Sequence, residues 1–273
     1  MRSRVTFDRV QHLVRVPVRV NDSAYRFLID TGIGISVVSS AVAARSDVTW
    51  MNETFTGRRM SGQAVPIPLV RLPNLKLGNY EVDGHVAGVA DLGDLDGPQG
   101  FAGILGPGFF AGHVVTTDPA AKAVTVCEAG HVPQEGYEIP LEVRHNGLSV
   151  DCFATLVLPS GRKLCVEVDT GSGSLILDTQ FMRDCRVTAD DESVSTEKGT
   201  DETGHSWIRH WATIAGDVHL AAAPETAQTA PRVQFQDIIH DGLLGADYLY
   251  RYRTTFDVPG ARLLLAPLTA GSD

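Results

Sequence analysis

Two stretches of the 273-residue chain end an apolar run in an acid, a hydroxyl residue and a glycine. The first is Phe27-Leu28-Ile29-Asp30-Thr31-Gly32-Ile33-Gly34-Ile35-Ser36. The second is Leu164-Cys165-Val166-Glu167-Val168-Asp169-Thr170-Gly171-Ser172-Gly173-Ser174-Leu175-Ile176-Leu177. An acid carried by a half-buried strand into a tight turn is held in place by the fold. Two such acids brought together can do what neither does alone. Like charges at short range cannot both ionise, so one carboxyl keeps its proton while the other is charged. The charged member then takes a proton from water, and the protonated member polarises a carbonyl. Asp30 and Asp169 are the candidate pair, and the sequence leaves open which of them is the base.

The surroundings of the two acids repeat. Gly103-Ile104-Leu105-Gly106 follows Asp30 at the same distance as Gly242-Leu243-Leu244-Gly245 follows Asp169. Each glycine-bracketed run leads into a short amphipathic stretch, at Phe109-Phe110 and Tyr248-Leu249. The endings match as well: Val124-Thr125-Val126 and Leu263-Leu264-Leu265 are separated by the same offset as the two acids. An offset held at three landmarks indicates an internal duplication. It predicts two lobes, 1–133 and 134–273, each large enough for its own core.

Asp-Thr-Gly on a strand, followed by a hydrophobic-hydrophobic-Gly run, resembles the retropepsin-like and pepsin-like aspartic proteases. The second motif is similar to the pepsin form, the first to bacterial retropepsin-like units, and the resemblance spans about 10–127 and 150–267. It implies a mainly β, bilobal fold of two pseudo-twofold-related lobes with a cleft between them. It implies an endopeptidase that hydrolyses peptide bonds with no cofactor and no metal, one aspartate coming from each lobe. By the same resemblance Thr31 and Thr170 cross-link the two active-site loops. Gly32 and Gly171 let backbone approach the carboxylates, and Ser172 supports the second acid. Flap tips are expected around Gly62 and Gly204. The chain departs from the pattern at Ile33, where Ala or Ser is usual, and at Gly108, opposite Asp247 of the second half. A second reading stays open: a non-catalytic peptide-binding or regulatory module that retains the fold.

The elements that position the acids are legible from periodicity. Val14, Val16, Val18 and Val20 alternate with Arg15, Pro17 and Arg19, the period of a strand with one buried face. Asn21-Asp22-Ser23 supplies a turn, and the chain returns through 25–29 to Asp30. In the second half 153–158, a turn at 159–162 and 164–168 do the same for Asp169. A short helix is expected at 39–46, capped by Ser39 or Ser40. Further strands are expected at 65–72 and 80–89, with a hairpin tip at 61–63. The stretches 52–63, 91–100, 184–204 and 221–230 read as polar or surface loops, and 130–135 as the linker between lobes. The 137–143 stretch alternates and has no evident equal in the first half, so it is expected to bridge the lobes.

Composition narrows the partners. A net charge of −10 disfavours nucleic acid and anionic membrane surfaces, which require basic patches. No apolar run approaches the roughly 18 residues of a membrane span. No apolar core follows Met1-Arg2-Ser3-Arg4, so no signal peptide is expected and the chain is placed in the cytoplasm; a trimmed leader would place it in the periplasm or outside the cell. The four cysteines, 127, 152, 165 and 185, lack Cys-x-x-Cys spacing and read as free thiols. His205 and His210 are spaced for neither one helical face nor a zinc pair. The glycines at 106–112 lack a βαβ context, and no Gly-x-Ser-x-Gly occurs. A peptide or protein substrate and a monomer are expected, since each lobe supplies half a site; pairing of equivalent lobes between chains is the alternative.

Overall fold

The valine alternation folds as the strand Leu13–Val20, with Val14, Val16, Val18 and Val20 all buried. It pairs antiparallel with Ser23–Ile29 through the two-residue connection Asn21-Asp22. Asn21 takes a φ of 48°, a left-handed conformation that Asn tolerates. The second half repeats this with Ser149–Val157 against Lys163–Val168. The structure, a computed structural model, describes residues 1–45, 47–93, 100–200 and 206–268. It is mainly β, with curled sheets forming half-barrels, as an aspartic-protease fold requires.

Among the described residues there are two ten-stranded sheets and one of six strands. One large sheet takes its strands from Asp8–Val10 through Gly103–Leu105, the other from Glu142–Asn146 through Gly242–Leu244. Each covers its own apolar core, one around Val16, Phe27 and Leu105, the other around Val166, Phe235 and Leu244. The six-stranded sheet is shared. Its order is Arg2–Thr6, Ala123–Glu128, His113–Asp118, Tyr252–Asp257, Arg262–Pro267, Tyr137–Pro140. Its middle pair is antiparallel, with Thr116 opposite Thr255 and their hydroxyls 2.8 Å apart. These threonines are separated by the same offset as the two acids, so a pseudo-twofold axis runs through the pair.

Several expectations change. The 137–143 stretch does contribute Tyr137–Pro140 to the shared sheet, but that strand pairs only with Arg262–Pro267 of its own half. Its counterpart is Arg2–Thr6, which pairs with Ala123–Glu128 in the same way. The expected strand 80–89 is two strands, Tyr80–Val82 and His85–Ala90. Three expected loops hold strands: Thr49–Arg58, Ser195–Thr200 and Ala223–Thr229. The first two expose most of their side chains, so the two-residue alternation is weak. The helix at Ser40–Ala43 is shorter than expected, and Ser39 caps it by accepting the Val42 amide at 3.3 Å. The four cysteines are free thiols. No helix among the described residues is long and apolar enough to cross a membrane.

Candidate active site

Both acids sit at equivalent ends of equivalent strands. Ser23–Ile29 runs parallel to Gly103–Leu105, and Lys163–Val168 runs parallel to Gly242–Leu244. Past the last paired residue, the Asp30 amide donates to the Leu105 carbonyl at 3.1 Å, and the Asp169 amide donates to the Leu244 carbonyl at 3.1 Å. The duplicated apolar runs therefore fix the backbone of each acid from behind. Their equal spacing from the acids reflects this, since each run must return beside its own acid-bearing strand.

The two loops then lock together across the halves. The Thr31 amide donates to Thr170 Oγ1 at 3.1 Å, and the Thr170 amide donates to Thr31 Oγ1 at 3.0 Å. Thr31 Oγ1 in turn donates to the Val168 carbonyl at 2.6 Å, while Thr170 Oγ1 reaches the Ile29 carbonyl at 3.5 Å. Both threonines are buried. A small hydroxyl residue is needed here because it accepts from one amide while donating to a carbonyl of the facing strand. The glycines that follow bring the acids together: a Cβ on Gly32 would collide with the Asp169 carboxyl, and one on Gly171 with the Asp30 carboxyl.

The two carboxyls act on each other, their contact raising the pKa of Asp30 and lowering that of Asp169. Each carboxyl keeps part of its surface open, yet the surrounding loops exclude most water, and this desolvation raises the pKa of both. For Asp30 the nearby Asp169 charge adds to the rise. Backbone amides oppose the rise at both acids, Gly32 and the facing loop's Gly171 at Asp30, Gly171 and Ser172 at Asp169. Asp30 Oδ1 accepts the Gly32 amide at 2.8 Å. Asp169 Oδ1 accepts two amides of its own loop, Gly171 at 2.8 Å and Ser172 at 3.1 Å. Ser172 Oγ is turned away and donates to the Ser174 carbonyl at 3.0 Å. In the first loop Ile33 stands where Ser172 does; its carbonyl accepts the Ile35 amide at 2.8 Å, and the turn closes through Gly34 at φ +71°.

The expected hairpin tip at Gly62 joins Thr49–Arg58 to Ala64–Leu72. Gly62 has φ +83° and its amide donates to the Arg59 carbonyl at 2.8 Å. The tip reaches the other half, where the Ile239 amide donates to the Met60 carbonyl at 2.9 Å. Gly204 lies outside the described residues; the strands flanking that stretch, Ser195–Thr200 and Ser206–Thr213, form the matching hairpin of the second half.

Two neighbours of the acids carry no motif. His12 sits in the turn before Leu13–Val20, and its Nε2 donates to the Gly171 carbonyl of the other half at 2.8 Å. Glu167 is buried two residues before Asp169 on the same strand face. The alternation around it, Val166-Glu167-Val168-Asp169, signals that shared face.

Residues 16–109 match the family model described as aspartyl protease. The match contains Asp30, the Gly62 hairpin and the Gly103–Leu105 strand. A search of curated proteins gave no match.

Proposed function

We propose that the chain, whose residues 16–109 match the aspartyl protease family model, is a retropepsin-like endopeptidase whose water is activated between Asp30 and Asp169. The lobes 1–133 and 134–273 would each supply one acid within a single chain, and the substrate is a peptide or protein. The observation that carries this reading is the reciprocal approach of each Asp-Thr-Gly glycine to the opposite carboxyl.

The contact between the carboxyls supports a division of labour, since it raises the pKa of Asp30 and lowers that of Asp169. Asp169 is therefore the anion, and the proton is held on Asp30. Asp169 then takes a proton from the bound water as the water oxygen bonds to the substrate carbonyl carbon. Asp30 gives its proton to the carbonyl oxygen, which yields a neutral tetrahedral diol. Asp169 then returns its proton to the amide nitrogen while Asp30 takes one back from a diol hydroxyl; the C–N bond breaks, an amine and a carboxylic acid leave, and Asp169 is again the anion and Asp30 the acid. Thr31 and Thr170 position the loops, and the 59–63 hairpin covers the cleft.

The test pairs turnover with a stable mimic of the tetrahedral state. A peptide in which a hydroxyl-bearing carbon replaces the scissile carbonyl is expected to bind at least about 100-fold tighter than the matching amide peptide. It is also expected to block cleavage of a peptide library. Tight binding of the mimic with no peptide cleaved from acid to neutral pH would instead favour the non-catalytic binding module.

A further inference from the structure

Glu167 has no equal in the first half, where the offset of the repeat puts Leu28. Both lie two residues before their acid, and Leu28 pairs across its sheet with Arg15 and Ile104. Glu167 pairs with Phe153 and Leu243, both buried. A carboxyl in such a place is costly unless it is paired. Its one ion-pair partner among the described residues is the His240 imidazole, at 3.6 Å. Burial lowers the pKa of His240, so this ring is a poor source of positive charge. Arg144 is occupied by Glu142 at 2.7 Å, and its guanidinium lies 3.9 Å over the Phe153 ring. Burial first, then the carboxylates of Asp169, Asp151 and Asp30, push Glu167 up to about 9, against a smaller lowering by the Arg144 guanidinium.

The rest of this face differs between the halves in the same sense. In the first half it is an apolar cluster of Ile35, Val37 and Leu69, joined by Phe55, Ile67 and Ile104. In the second half Gln234 stands beside Ile176 as Gly88 stands beside Val37. There a polar chain runs from Gln234 to Gln236 at 3.0 Å and on to Arg209 at 2.9 Å. One side of the cleft is therefore apolar and the other polar, with an acid next to the reacting pair whose nearby guanidinium, Arg144, is ion-paired to Glu142 instead.

We propose that Glu167 is the specificity-determining residue of the second-half side, receiving a lysine or arginine side chain of the substrate next to the scissile bond. Leu28 and its apolar neighbours receive an uncharged apolar side chain on the other. The substrate class is thus a peptide with an apolar and a basic residue about the cut. This rests on the protease reading above. The substrate cation supplies the direct ion pair that Arg144, engaged by Glu142, does not make. His240, the ion-pair partner of Glu167, adjoins Ile239, whose amide donates to the Met60 carbonyl of the 59–63 hairpin.

The experiment profiles wild type, Glu167→Gln and Glu167→Leu on peptides carrying Lys, Arg or norleucine at each position in turn. Wild type is expected to prefer the basic residue at one position flanking the cut by about 10- to 100-fold in kcat/KM, the range of a charge-assisted hydrogen bond. Glu167→Gln reduces that ratio to within about threefold, and Glu167→Leu inverts it toward norleucine. Absence of a basic preference in wild type, or its persistence in both variants, overturns the assignment. If wild type cleaves none of the peptides, the protease reading falls, and calorimetric binding of the same peptides decides the subsite alone. Tighter binding of the lysine peptide that is lost in Glu167→Gln supports it, and equal binding overturns it.

Discussion

Replacing Thr31 by valine removes one hydroxyl and keeps the shape, so the loss can be worked out bond by bond. Thr31 Oγ1 donates to the Val168 carbonyl at 2.6 Å and accepts the Thr170 amide at 3.0 Å. Both partners are buried backbone groups that water does not reach in the folded chain. An orphaned buried group costs about 1–3 kcal/mol, so Thr31→Val is expected to destabilise the fold by about 2–4 kcal/mol. Thr170→Val orphans less. It frees the Thr31 amide at 3.1 Å, but its own donation to Ile29 is a long contact at 3.5 Å. Its expected cost is about 1–2 kcal/mol. The two hydroxyls serve the same junction, so the double variant should cost less than the sum of the singles. Urea unfolding of the wild type, both singles and the double, followed by tryptophan fluorescence, gives all four values. Equal costs for the singles, or a cost below about 0.5 kcal/mol for Thr31→Val, would refute the claim that this crossing holds the halves in register.

Other outcomes follow from the same geometry. Gly32→Ala and Gly171→Ala each drive a methyl into the opposite carboxyl; peptide cleavage should fall by at least about 100-fold while circular dichroism stays that of a β fold. Gly62→Ala strains a φ of +83° and sets a Cβ 2.9 Å from Ile239 Cγ2, so KM should rise more than kcat falls, as read from initial rates. The Glu167 carboxyl would ionise near 4.5 in the unfolded chain and near 9 in the folded one. The folded state therefore holds the extra proton between these values, and stability falls as pH rises through that window. Glu167→Gln removes this penalty: it should stabilise the protein by about 2–4 kcal/mol at pH 8 and by nothing at pH 4, measured by urea unfolding at each pH.

Much of this molecule is written in short-range pattern. The valines before Asp30 alternate because one face of their strand is buried, and the glycine-bracketed runs are apolar because they lie beside the acid-bearing strands inside each core. The fixed offset between the halves survives as the axis through Thr116 and Thr255. The parts that escaped have no such pattern. Ser195–Thr200 exposes nearly every side chain, so its pairing with Ser206–Thr213 leaves no apolar trace. Ala223–Thr229 buries Thr226 and Gln228 beside one small apolar residue, Ala223. Arg2–Thr6 matches Tyr137–Pro140 in position but not in spacing, because the chain between strand and acid differs in length. His12 meets Gly171 from the far end of the sequence, a contact that follows only from assembling both halves. Glu167 stood in plain view as a charged residue in an apolar run, and its meaning depended on Arg144 pairing with Glu142 rather than with it.

The account stands on two acids of one chain acting as a unit, and mixing two damaged copies tests that directly. Asp30→Asn and Asp169→Asn are purified separately, and cleavage of one peptide is measured for each and for their equimolar mixture. Each variant should lose at least about 1,000-fold in kcat/KM, and the mixture should stay as inactive as its parts. Cleavage retained by either variant would remove the shared-proton pair, and activity restored on mixing would move the site to an interface between chains.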